Sequence, residues 1–216
     1  PKYTGARHAG SKEKRMRCRL IVTEGDSAKA MALSGARSRD DKDFFGAVPL
    51  TGKIANPRKG KNSDETAMLA EVLGLEPGRK YREPGDLDAL RYGEVWIMTD
   101  QDVDGWHIAG LLLNWFDTRM PGLMALKPGF VKIFATPLVV VGDRHFYSEI
   151  EYKAWWDAAS ASERRRVEYY KGLGAWTTAK AKRLFDDPRL VSVEYNPVEG
   201  AVASADTALE AAFDDR

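Results

Sequence analysis

Cys18-Arg-Leu-Ile-Val-Thr-Glu-Gly-Asp-Ser-Ala-Lys-Ala-Met-Ala-Leu-Ser-Gly35 changes its pattern twice along its length. Residues 18–23 form a short apolar run rich in β-branched side chains, the mark of a buried strand. Glu24-Gly25-Asp26-Ser27 breaks that run. Residues 27–35 are helix formers, with Gly35 expected as the stop. The same succession recurs at Glu94-Val-Trp-Ile-Met-Thr99, a second buried strand that runs into Asp100-Gln-Asp-Val-Asp104-Gly105. A helix is expected over 106–119, with Ile108, Leu111, Leu112 and Trp115 at helical spacing and Pro121-Gly122 ending it. Strands alternating with helices predict an α/β fold, a mostly parallel sheet flanked by helices, with extra insertions.

Working outward, residues 1–17 read as a basic linker, residues 18–185 as the folded domain with its insertions, and residues 186–216 as an acidic C-terminal segment. Within the domain, residues 36–63 are turn-rich and basic around Val48-Pro-Leu-Thr-Gly-Lys-Ile54. A helix is expected over 64–75, and a loop with one short helix near Leu87 and Leu90 over 76–93. Strands follow at 130–134 and 138–141, with a hairpin-like return through His145-Phe-Tyr-Ser148. A helix at 149–160, a strand at 166–170 and a helix at 177–185 complete the pattern.

A chain of 216 residues buries a real core without covalent staples, and 44% hydrophobic with 30% charged residues is ordinary soluble composition. The single cysteine, Cys18, excludes an intramolecular disulfide and points to a reducing, intracellular setting. Apolar runs such as residues 138–141 fall far short of a membrane span, so no membrane partner is expected, and no signal-peptide core is present. The chain opens on Pro1 and is expected to be a piece of something longer, an excised domain or a split subunit. The net charge of +1 is unevenly spread. Residues 1–19 carry seven Lys/Arg against Glu13, and residues 186–216 carry eight acids against two arginines. The basic head and a second cluster at Lys53, Arg58, Lys59 and Lys61 suit a polyanion, although a solvated face accounts for such charge equally well.

Both strand ends carry acids: Glu24 after the first, and Asp100, Asp102 and Asp104 after the second. In a parallel sheet, ligands sit beyond the carboxyl ends of the strands, so the two acidic turns are expected on one rim. Several carboxylates crowd there as anions only with a compensating cation. Hard oxygen donors suit Mg²⁺, which keeps several waters and bridges to phosphate, and this points to phosphoryl or phosphodiester chemistry. The bland role for these aspartates is to form a turn and cap the next helix, and Asp104 alone fits that role. The Asp-x-Asp-x-Asp-Gly spacing also opens an EF-hand loop. That loop needs a glutamate at its twelfth position, where this chain has Leu111, and a helix before it, where this chain has a strand.

Glu24-Gly-Asp-Ser-Ala28 and Asp100-x-Asp102-x-Asp104-Gly105 resemble the two signatures of a Toprim domain. Together with Pro49-Leu-Thr-Gly-Lys-Ile-Ala-Asn56 and Tyr169-Tyr-Lys-Gly-Leu-Gly174 they resemble the Toprim region of type IIA DNA topoisomerases, nearer the eukaryotic and large-DNA-virus enzymes than bacterial gyrase. The resemblance implies a Toprim fold that supplies Mg²⁺ near a scissile phosphate. It further implies a catalytic tyrosine in a separate winged-helix domain, beyond the acidic segment, and ATP hydrolysis in another domain. The partners it implies are double-stranded DNA and the remaining domains of a homodimeric parent enzyme. By motif match Glu24, Asp100 and Asp102 are metal ligands, Asp104 serves a second or shared ion, and Glu24 takes part in proton transfer at the 3′ hydroxyl. Lys53, Asn56, His107 and Lys171 match positions near DNA, and His107 also counts with Glu24, Asp100 and Asp102 among the catalytic residues the resemblance implies.

The chain departs from the family pattern at Thr51 (usually Arg), Trp106 (usually a small residue), Ala109 (usually basic) and Ala175-Trp176 (usually small hydroxyl residues). Trp106 and Trp176 are expected to be buried against the sheet or a neighbouring domain rather than stacked on DNA. Tyr169, Tyr170 and Tyr195 lack the family's catalytic-tyrosine context, so the chain alone is not expected to relax or decatenate DNA. The alternatives are a different Toprim enzyme, such as a metal nuclease or primase-like protein, and a non-catalytic DNA-interaction module.

Overall fold

The computed structural model describes residues 2–51, 54–60, 63–169, 172–173 and 176–193. The first unit is β1 (Arg19–Glu24) followed directly by α1 (Gly25–Arg37), with β2 (Phe45–Leu50) next. Then come α2 (Asp64–Leu73), β3 (Glu94–Met98), α3 (Val103–Arg119), α4 (Leu123–Leu126) and β4 (Val131–Phe134). The later part contains β5 (Val139–Val141), β6 (Arg144–Phe146), α5 (Glu149–Ala158), α6 (Ala161–Arg164), β7 (Val167–Tyr169), α7 (Thr178–Asp186) and β8 (Leu190–Ser192).

The main sheet has the order β2-β1-β3-β4-β8, and a smaller sheet has the order β6-β5-β7. β2, β1, β3 and β4 run parallel, while β8, which lies beyond residue 185, closes the sheet antiparallel to β4. β1 is buried on both faces, which is why it reads as a continuous apolar run. Leu20 and Val22 point to a core shared with α2 and α3 through Leu69, Leu73, Leu112 and Trp115. Ile21 points the other way, to Met31 and Ala32 of α1 and Leu184 and Phe185 of α7. The small sheet packs its own cluster, Val139, Val141, Phe146 and Trp155, beneath α5.

Two local expectations are corrected. The segment 36–63 is not all turns: β2 crosses it as a fully buried strand, with Ala47 level with Ile21 of β1. Gly46 and Pro49 disguise this strand, and each has a positional reason. Proline is tolerated because β2 is the last strand of its sheet. A Cβ at Gly46 would collide with the Tyr92 hydroxyl and lie 2.9 Å from the Ala6 nitrogen. The segment read as a linker is seated on this outer strand. Thr4 N–H donates to the Ala47 carbonyl at 2.9 Å, Ala47 N–H returns the bond at 2.8 Å, and Ala6 N–H donates to Tyr92 Oη at 3.0 Å.

Gly35 does not stop α1, which continues to Arg37. Its missing side chain serves helix packing instead: a Cβ there would strike the Phe185 ring and lie 2.8 Å from the Ala181 carbonyl oxygen of α7. In an ordinary helix interior, Gly→Ala gains about 1 kcal/mol. Overpacking at this contact costs about 1–3 kcal/mol. Gly35→Ala is therefore expected to lower the urea midpoint of unfolding, and a raised midpoint would show that α1 and α7 do not meet at this glycine.

Candidate active site at the carboxyl rim

Because β1 and β3 are adjacent and parallel, with Thr23 level with Met98, the chain leaves both strands on the same rim. Glu24 ends β1 there, and Asp100, Asp102 and Asp104 follow β3. Gly25 takes a φ of 81°, which lets the chain turn from strand into α1 without an intervening loop. Glu24 is half-buried, and its Oε2 atom is shielded from solvent.

Asp100 and Asp102 are each fixed by a backbone N–H. Asp102 is the N-cap of α3, with Oδ1 accepting from Gly105 N–H at 2.8 Å. Capping thus falls to Asp102, while Asp104 lies exposed in the first helical turn. The glycine of this motif is sterically required, since a Cβ at Gly105 would collide with the Asp100 carbonyl oxygen. Asp100 Oδ1 accepts from Leu173 N–H at 2.8 Å. Gly172 lies so close that a Cβ there would sit 2.7 Å from Asp100 Oδ2, and its φ is 151°. The backbone of this glycine-containing segment thus closes on Asp100 itself.

Carboxylate oxygens are the donors that Mg²⁺ takes, and that ion is held by one or two carboxylates with waters and phosphate oxygens completing its shell. Among the described residues, no three Asp, Glu, His or Cys side chains converge into a ready-made cage. Oxygen donors of this kind suit an ion that shares phosphate oxygens and water. Capping and the Leu173 contact each use part of a carboxylate's acceptor capacity and leave further lone pairs on it.

The remaining residues singled out in the sequence are placed as follows. His107 is exposed on the first turns of α3, beside Val103 at 85% and Trp106 at 53% exposure. Trp106 thus faces solvent instead of the sheet, whereas Trp176 packs on the core beside α7 and Ala109 is buried. Thr51 donates to Glu65 Oε1 at 2.6 Å. Asn56 Oδ1 accepts from Arg58 N–H at 3.0 Å and from Asn114 Nδ2 at 3.3 Å. Lys53 and Lys171 lie outside the described residues, as do Tyr170, Tyr195 and residues 194–216.

Arg58 fits neither a solvated face nor a free polyanion contact. Its side chain is only 16% exposed, with Nε donating 2.8 Å to Asn114 Oδ1 and a guanidinium nitrogen 3.3 Å from Asp117. Arg119 donates to the Pro57 carbonyl at 2.8 Å and to the Gly60 carbonyl. α3 thereby clamps the loop that follows the Gly-Lys step. The available signal was Asn114, a polar residue inside an apolar helical stripe.

A family model of the Toprim domain matches residues 19–136, and one of the C-terminal associated domain of Toprim matches residues 134–216. DNA topoisomerase 2 of Drosophila melanogaster is 41% identical over 196 residues, covering 87% of this chain and 13% of that protein. DNA topoisomerase 2-alpha of Homo sapiens is 37% identical over 204 residues, covering 90% of this chain and again 13% of the relative. A crystal structure of the DNA-binding, cleavage and re-ligation domain of Plasmodium falciparum topoisomerase II superposes with a TM-score of 0.86 at 33% identity. That match covers 100% of this chain and 30% of the other.

The contact between Asp100 and the 172–173 segment is directly testable. Gly172→Ala and Asp100→Ala are each expected to speed hydrogen exchange at the Leu173 amide. Gly60→Ala, where a Cβ meets open space, leaves it unchanged. Equal protection in all three variants would contradict the contact.

Proposed function

The chain belongs to the Toprim family, as the Toprim domain of a type IIA DNA topoisomerase, and from that premise we propose that it is the Mg²⁺-binding half of a double-strand DNA cleavage and religation centre. The observation that carries the reading is that the parallel pairing of β1 and β3 brings the turns bearing Glu24, Asp100 and Asp102 to one rim, with the two aspartates held by backbone N–H groups. Glu24, Asp100 and Asp102 would hold the ion, with Asp104 serving a second or shared one. When bound, it would supply positive charge at the scissile phosphate.

The chain's own residues do the positioning. Leu173 N–H and Gly105 N–H fix two carboxylates before DNA arrives, which lowers the reorganisation needed at the moment of reaction. Glu24, half-buried at the end of β1, is suited to hold or release a proton at the 3′ oxygen. Lys53, Asn56, His107 and Lys171 would contact the DNA backbone. The attacking tyrosine, the ATP-hydrolysing machinery and the dimer contacts are assigned to other parts of the parent enzyme, so this chain alone does not relax supercoils.

Asn replacements separate charge from folding, because asparagine caps helices about as well as aspartate. Asp100→Asn/Asp102→Asn is expected to melt like the native chain in EDTA and to lose the rise in melting temperature that Mg²⁺ gives the native chain. In the full enzyme the same pair should abolish Mg²⁺-dependent cleavage and leave DNA binding largely intact, since phosphate affinity comes from Lys and Arg. Normal supercoil relaxation by the double variant at ordinary Mg²⁺ would overturn the assignment.

A further inference from the structure

The basic head of the chain is not absorbed by the rim chemistry. It leads to a cleft of about 440 Å³ at the opposite, amino edge of the main sheet. Thr4, Gly5 and Arg7 form one wall, the last turns of α1 another, and Lys42, Asp43 and Phe45 the third. Arg7, Arg37 and Lys42 border the opening, all exposed, against the single acid Asp43.

The charges there are available. Among the described residues Arg37 and Lys42 make no ion pair. Arg7 meets Asp43 at 3.3 Å, but both side chains are well exposed, at 75% and 43%, and such a surface pair exchanges readily. The floor, by contrast, is Leu33, Ala36 and Phe45. A net positive opening over a partly apolar floor suits a phosphate carrying an organic substituent better than a bare ion. The volume also exceeds what a lone phosphate fills.

We propose that this cleft grips the phosphodiester backbone of duplex DNA as a second contact, remote from the cleavage rim. The proposal rests on the reading of this chain as a DNA-cleaving domain and involves no metal. β2 runs from the cleft at Phe45 to the rim side at Leu50, and six residues of strand span about 20 Å. One duplex lying along this flank would reach both ends with about six base pairs. The contact recognises charge and carries no base-reading geometry, so it adds affinity without sequence preference.

The test is anisotropy titration of labelled duplexes by the chain in EDTA, between 50 and 200 mM salt, conditions in which each phosphate contact shows as about 0.9 in the log–log salt slope. Arg7→Gln/Arg37→Gln/Lys42→Gln is expected to lower that slope by about 2–3, with affinity falling at least tenfold at the lower salt and equally for unrelated sequences. Arg37→Gln alone, an exposed change that leaves the fold's packing untouched, should lower it by about one. Lys153→Gln, on α5, should match the native chain. A native slope in the triple variant, no duplex binding by the native chain, or displacement of DNA by inorganic phosphate at equal phosphate concentration would each overturn the proposal. The Mg²⁺ response of the rim acids is a separate readout, so a failure here is distinguishable from a failure of the cleavage reading.

Discussion

The parallel hydrogen bonding of β1 to β3 is the constraint on which the rest of this structure depends. It fixes direction as well as neighbourhood, so the two turns that follow the strands must leave on the same side of the sheet. One turn begins with Glu24 and the other contains Asp100, Asp102 and Asp104. Neither turn collects acids by itself in a way that would distinguish it from a helix cap. Brought to one rim by the sheet, they present hard oxygen donors of the kind Mg²⁺ takes. The sheet is held in that register by burial on both faces, through Leu20 and Val22 on one side and Ile21 on the other.

Glycines then set how closely the surrounding backbone approaches those acids. Gly105 lets the first turn of α3 close over the Asp100 carbonyl, and Gly172 lets the distant Leu173 amide reach the Asp100 carboxylate. Placing Asp102 at the N-cap ties the rim to α3, and α3 in turn holds the loop at 56–60 through Asn114, Asp117 and Arg119. Acids follow the strands at the carboxyl rim, while Arg7, Arg37 and Lys42 border the cleft at the amino edge.

Both strand–turn–helix units were legible in the sequence because their signals are local: an apolar run, a break, then helical spacing. The rim position of the acids followed from parallel topology alone. What escaped the sequence depends on partners far along the chain. β2 hides behind Gly46 and Pro49, whose reasons are the Tyr92 hydroxyl and the edge of the sheet. Gly35 has the same letter whether it ends a helix or admits Phe185, and only the position of α7 decides between these. Arg58 reads like the lysines around it in the sequence until Asn114 and Asp117 are brought beside it. Trp106, expected against the sheet or a neighbouring domain, is set by the helix register on the outward face of α3 next to His107.

The central claim is that Glu24, Asp100 and Asp102 form one ion site. Crystals of the chain soaked in Mn²⁺, a Mg²⁺ surrogate with an anomalous signal, test it most directly. The account predicts an anomalous peak at the carboxyl rim within bonding distance of at least two of these three carboxylates, absent in Asp100→Asn/Asp102→Asn. A folded rim without a peak, or a peak unchanged in that variant, would contradict it.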